Sequence, residues 1–319
     1  VTTTTSPRAV PTLAARLERA LAHGETALDG LERHQPVSRH DRLTTLLTLY
    51  DLHLGPLSPY AALADHPAVA ALKWQLERQW IAELGALDGP APTSPDTVAA
   101  AIRAIAARGR LHPVYKWLAD AAPWPDVVRF LNLEGGPDGG FDDLVALCQV
   151  GLTGRAKVEL ATNYWDEMGN GDVDAVHTTL HARLAAAIGL TELPRAQQPA
   201  SALERVALGG LLSTNRFLQP EMIGALGLTE LEAGPRCRMV LRAFDRCQAP
   251  AEAYPFYREH ADVDPRHGKD WLDNAVVPLL TEHPQWGAGM LRGAWWRSRT
   301  NTAFFDDAYG LLTRTSAAA

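Results

Sequence analysis

The chain has 319 residues, 46% hydrophobic and 21% charged, the make-up of an ordinary globular protein with length for one large domain or two smaller ones. A net charge of -7 without any basic stripe interleaved with aromatics excludes nucleic acid as an expected partner. No apolar run reaches the length of a membrane span, so no membrane is expected either, and three cysteines without a CxxC pair, Cys148, Cys237 and Cys247, point to a reducing, cytoplasmic setting rather than a disulfide framework or a zinc knuckle.

Residues 1–10 open on Val1, Thr2 and Thr3, lack the basic-then-apolar order of a secretory signal, and read as a loose tail. Helical periodicity then takes over. Leu13, Leu17, Leu21, Leu28 and Leu31 predict a helix over 11–34. Ser38 as N-cap and Gly55-Pro56 bound a second over 38–54, and His66-Pro67 opens a third that passes Trp74 and Trp80 and ends near Leu84. The run from Asp88 to Pro95 is the strongest punctuation in the first half, and an alanine- and isoleucine-rich helix follows to Arg108. His23, His34, His40, His53 and His66 are scattered and read as surface or helix-end residues. The reading is an N-terminal helical extension over 11–109 and a main domain over 110–319.

His112-Pro113 begins that domain, with Tyr115, Trp117, Trp124 and Phe130 as aromatic bulk in a helical stretch ending at Glu134. The glycine-rich run from Gly135 to Gly140 is no phosphate cradle, since no strand precedes it and no GK[ST] follows. Glu134 is a helix-end carboxylate or a minor ligand. After a short apolar helix over 141–150 comes a dense polar stretch, in which Glu159, Asn163, Glu167 and Asn170 lie close on one helical face, followed by Asp174 and His177. Such a row, ending in a histidine, is unusual on a helix that also carries Trp165 and Met168; a solvated helix interrupted at Gly169 and Gly171 is the alternative. His181 reads as a surface residue. A helix over 201–217 precedes a segment from Pro220 to Gly234-Pro235 with Glu230 among Leu226, Leu228 and Leu231. Small residues there permit close helix approach, and a glutamate buried among leucines needs a partner. Further helices span 236–248 and 286–312, the last with Arg292, Arg297 and Arg299. No strand pattern occurs, so the fold class is all-α.

The sharpest chemistry lies at 259–267. His260, Asp264 and His267 stand at i, i+4 and i+7, so a helix projects all three from one face. Two imidazoles and a carboxylate suit iron or another first-row divalent metal. A polar face in solvent is the alternative, disfavoured by the flanking Tyr254, Phe256, Tyr257, Trp271 and Leu272. Pro265 should kink or break this helix. Histidines and carboxylates on three separate helical segments are how metal sites are assembled in helical bundles.

Two motifs, Asp166-Glu167-Met168-Gly169-Asn170-Gly171 with His177 ten residues after Glu167, and His260-xxx-Asp264-xx-His267, resemble the heme-oxygenase-like diiron oxidases and oxygenases over about residues 110–312. The resemblance implies a heme-oxygenase-like helical bundle that binds two non-heme ferrous ions in place of heme and uses dioxygen. It implies Glu167 and His177 on one core helix, Glu230 on the next ligand helix, and His260, Asp264 and His267 on the last, all as metal ligands. Asp174 stands where some relatives carry an additional carboxylate, here one methylene shorter. A small-molecule substrate and an external electron donor follow from the same resemblance, and a homodimer is left open. The expected reaction is N-oxygenation or oxidative cleavage of an amino acid or related small amine in specialised metabolism, with Arg292, Arg297 and Arg299 available to a substrate carboxylate. Oxidative decarboxylation or lysis of an aliphatic acid in a tryptophan-lined pocket stays open, as does a non-catalytic scaffold with a degenerate metal site. The substrate-binding residues are not legible, nor is metal contact by Glu134 or Glu159.

Overall fold

The computed structural model describes residues 11–86, 94–109, 111–135 and 140–316; the expected tail at 1–10, most of the punctuation at 88–95 and the glycine run at 136–139 lie outside them. Every regular element among the described residues is helical. The chain divides into two compact units, Val1–Gly85 and Ala86–Ala319.

The first unit holds α1 (Leu13–His23), α2 (Arg39–Leu54) and α3 (Pro67–Leu84). Leu13, Leu17 and Leu21, Leu43, Leu46 and Tyr50, and Leu72, Leu76 and Trp80 are the buried stripes of the three. Thr12 and Ser38 cap α1 and α2 by accepting the Ala15 and Asp41 N–H groups. Asp41 in turn accepts the Leu13 and Ala14 N–H groups at 2.9 and 3.0 Å, so one carboxylate serves the free donors at the start of α1. The helix expected over 11–34 stops at His23, where Gly24 turns the chain at φ 89°. Leu28 and Leu31 stay buried in the short turns that follow. His66 is a helix-end residue, its Nδ1 accepting the Ala68 N–H.

The second unit holds α4 (Pro95–Gly109), α5 (Pro113–Asp120), α6 (Trp124–Glu134), α7 (Phe141–Cys148), α8 (Gly154–Glu167), α9 (His177–Ile188), α10 (Ala200–Ser213), α11 (Gln219–Cys247), α12 (Tyr254–Asp270), α13 (Val277–Glu282) and α14 (Gly287–Ser316). The long α11 is its axis, with α4, α5, α7, α10, α12 and α14 packed around it. Two glycine contacts set how closely. A Cβ on Gly224 would fall 1.8 Å from the Met290 carbonyl oxygen, so α11 and α14 meet backbone to backbone. A Cβ on Gly268 would lie 3.0 Å from the Leu231 Cα, which brings α12 down onto α11 beside Glu230.

Three boundaries differ from the sequence reading. The helix expected to end at Gly234-Pro235 continues as α11 through Pro235 to Cys247. Likewise α12 runs through Pro265 to Asp270, followed by a wider helical turn over Trp271–Val276. In both, packing on two sides outweighs the lost backbone hydrogen bond, and the Pro265 ring sits against Gly234, where no side chain competes for the space. The third is the domain junction. The sequence suggests 109/110, but α4 belongs to the second unit, where Val98, Ile102 and Ile105 are buried and the helix packs on α14, α11 and α13. The three cysteines are free, and among the described residues no helix is long and apolar enough to cross a membrane.

Candidate metal centre

Glu167 ends α8 and His177 begins α9, so the two are not on one core helix as the resemblance implied. On an unbroken helix ten residues rise about 15 Å, too far for two side chains to meet. Between them Gly169, Asn170 and Gly171 all take left-handed φ values, 60°, 54° and 89°, and the chain turns back. That turn brings the Glu167 Oε2 to 2.6 Å from the His177 Nδ1. The long α11 contributes Glu230, and α12 contributes His260, Asp264 and His267 from one face. Glu230, Asp264 and His267 each offer a ligand atom within 4.8 Å of the others. His267 Nδ1 lies 3.6 Å from Glu230 Oε2, His260 Nδ1 3.3 Å from Asp264 Oδ1, and the His260 and His177 rings are 4.6 Å apart. The structure therefore brings all six expected ligands together.

Whether a cation suits them is decided by their hydrogen bonding. Five of the six are buried, and His260 nearly so. His177 Nδ1, His267 Nδ1, His260 Nε2 and Asp264 Oδ2 have no hydrogen-bond partner. Glu167 and His177 approach closely yet without the angle of a hydrogen bond. An unsatisfied buried polar atom costs about 1–3 kcal/mol, so several facing one small volume are a poor packing solution and a good ligand set. Nitrogen and carboxylate donors together fit iron.

Electrostatics agree. Burial raises the Glu230 pKa, and the neighbouring Asp264 and Glu167 carboxylates add to that, against a pull from His267. Burial alone would lower both His260 and His267. The surrounding carboxylates outweigh it, Asp264 first for His260 and Glu230 first for His267, and lift each to about 9. Without metal, imidazolium protons offset the carboxylates, and a divalent cation must displace them.

Two further residues hold the ligands in place. Asn163 Nδ2 donates to Glu230 Oε1 at 2.7 Å. His267 Nε2 lies 2.8 Å from Asp166 Oδ2, which fixes the ring with Nδ1 toward Glu230. Asp166 was legible as part of the first motif, though not in this role. Asp174, expected as an additional ligand, does not join the cluster: its side chain is 72% exposed and paired with Arg183. Glu159 accepts from Asn274 instead. Glu134 accepts from the Tyr115 hydroxyl at 2.6 Å.

Beside the cluster is a cavity of about 110 Å³, room for about four waters at roughly 30 Å³ each. Glu134, Glu167, Glu230, His260 and Asp264 line it. His181 lines it too, edge-on to Phe256, and is not the surface residue expected. The arginines expected for a substrate lie elsewhere: Arg292 pairs with Glu221, Arg297 is buried on Thr229 and the Arg205 carbonyl, and Arg299 is exposed. Nor do tryptophans line this cavity. Arg205 and Arg236 do, one from α10 and one from α11, so sequence separation hid the pair.

No curated protein matches the chain. A family model described as iron-containing redox enzyme matches residues 129–301, more than half of the chain, and spans every residue of the cluster. With that match laid over a buried, partnerless set of nitrogen and oxygen donors, the chain belongs to the iron-containing redox enzyme family.

Proposed function

We propose that the chain is a non-heme diiron oxygenase or oxidase that uses dioxygen on an amino acid or a related small amine. The buried donor atoms without partners, on the wall of a small cavity, carry this reading. Glu230, Asp264 and His267 would hold one ferrous ion, and Glu167, His177 and His260 the second. Bound there, the pair of ions supplies the electrons and the open coordination positions that reaction with dioxygen needs. Asp166 orients the His267 ring, and Asn163 keeps one Glu230 oxygen occupied so that the other faces the site. The buried surroundings limit competing water, and an external donor would return electrons between turnovers. Phe141, Val240 and Phe256 give the cavity apolar walls, which favour an aliphatic acid as the second reading of the substrate.

The test is anaerobic loading with ferrous ions, counting iron per chain, then admitting oxygen with a panel of amino acids and analysing products by mass. The reading expects two ions, substrate-accelerated oxygen consumption, and loss of one ion or more in His260→Ala and His267→Ala with helix content kept. Absence of iron uptake, or full turnover by both variants, rejects it.

A further inference from the structure

We infer that Arg236, together with the Tyr257 hydroxyl, receives the carboxylate of the molecule that enters the cavity. Both residues line it, and both are 7% exposed. The central carbon of the Arg236 guanidinium lies over two rings, 4.6 Å from the Phe305 ring centre and 5.9 Å from that of Tyr115. Its Nη2 is anchored on Glu232, a fully buried carboxylate that also accepts from Asn301 at 3.2 Å. The Nε has no partner. The group is thus held by contact with two rings and one ion pair, with its Nε donor still unused. Tyr257 stands on α12, turned edge-on to Phe244 and Phe256, and its hydroxyl bonds to no other described residue.

The chemistry of these two groups selects the ligand. A guanidinium has donors and no acceptor. Burial pushes the Tyr257 hydroxyl well above its usual range, so it stays protonated and donates. Two buried donors, one of them cationic and planar, match the acceptor oxygens of a carboxylate. Arg205 adds a second cation to the same wall, held by the Asn301 side chain at 3.2 Å and the Glu134 carbonyl at 2.8 Å. A substrate ammonium would belong nearer the carboxylates that line the same cavity, Glu134 and those of the metal cluster. The inference rests on the oxygenase reading only in taking this cavity as the substrate site. An α-amino acid and an aliphatic acid share the carboxylate, and the test separates them.

The experiment titrates a panel of L-amino acids and short straight-chain fatty acids, with the carboxamide of each binder, into anaerobic ferrous protein by calorimetry. Iron per chain is counted in the same samples. Wild type should prefer an acid over its carboxamide by about tenfold or more, and Tyr257→Phe should weaken the acid about tenfold while leaving iron content unchanged. Removing Arg236 alone would strand Glu232, so the second variant is the double exchange Glu232→Gln with Arg236→Met, which should abolish the preference. Equal binding of acid and amide, wild-type preference in the double variant, or no binding of any acid overturns the clamp. Two irons with no acid preference leave the oxygenase reading standing and remove this one. Acid preference in a chain that takes up no iron does the reverse. Whether amino acids or fatty acids bind decides the source of the carboxylate.

Discussion

Asp166 shows how much a single acceptor can decide. By taking up the His267 Nε2 at 2.8 Å, it leaves Nδ1 as the only ring atom available to a metal, 3.6 Å from Glu230. Partners of this kind typically change metal affinity by about 10–100-fold. Asp166→Ala should therefore weaken ferrous binding within that range while circular dichroism stays unchanged. Wild-type affinity would mean that packing alone orients the ring. His260 and His267 add a pH dependence. Both are lifted to about 9 from an ordinary value of 6.5 in the metal-free chain, so the folded state holds its protons more tightly than the unfolded state. The stabilisation they bring is complete below about pH 6.5 and disappears as pH rises through about 9. Denaturant midpoints of metal-free protein should fall across that window, and the fall should flatten in the double variant His260→Gln, His267→Gln. Ferrous affinity should move the opposite way, rising by up to about 100-fold per pH unit while two protons must be displaced. An affinity independent of pH between 6.5 and 9 would show that the imidazoles are already neutral.

At the scale of elements, the turn after α8 matters most. The sequence carried its signal, two glycines and an asparagine, yet a spacing of ten between Glu167 and His177 reads equally well as a continuous helix. Only the left-handed backbone at three successive residues shows that the two side chains meet because the helix ends. The α12 triad was legible because it needs only the helical period. Glu230 was legible as an acid among leucines. Asp174 was not excluded by sequence, since nothing in the spacing reveals Arg183 beside it. The prolines misled for a related reason. Local chemistry says that a helix ends at Pro235, while the decisive force is burial along both halves of α11. The turn can be tested through Gly169, whose Cβ would lie 2.5 Å from the Ala175 carbonyl carbon at φ 60°. Gly169→Ala should cost about 1–2 kcal/mol from the left-handed backbone alone. It should also pull Glu167 from His177, so iron should fall toward one ion per chain while the Glu230, Asp264 and His267 group keeps its own. Two ions and an unchanged denaturation midpoint would place the pairing outside the turn's control.

On the scale of the whole molecule, the question is where one folding unit stops. The sequence alone suggests that the extension ends at 109, because the histidine-proline pair at 112–113 has the form of a helix start. The Pro- and Gly-rich run beginning at Asp88 was the better signal, as it precedes α4 and not α5. The helix at stake buries Val98, Ile102 and Ile105 against its own unit. At about 1.5–3 kcal/mol for each large apolar side chain, its removal forfeits stability comparable to the whole margin of a typical domain, roughly 5–15 kcal/mol. It would also bare the faces of α11 and α14 that α4 covers, one of them part of the helix that carries Glu230. A chain beginning at Ala86 should therefore unfold in one cooperative transition and take up iron with full-length stoichiometry. A chain beginning at residue 110 should be aggregated or lack a cooperative transition. Measuring both by denaturant titration and iron content separates the two boundaries. Cooperative folding and full iron binding from residue 110 onward would restore the junction that the sequence suggested, and would make α4 a passenger on a core that needs only α5 to α14.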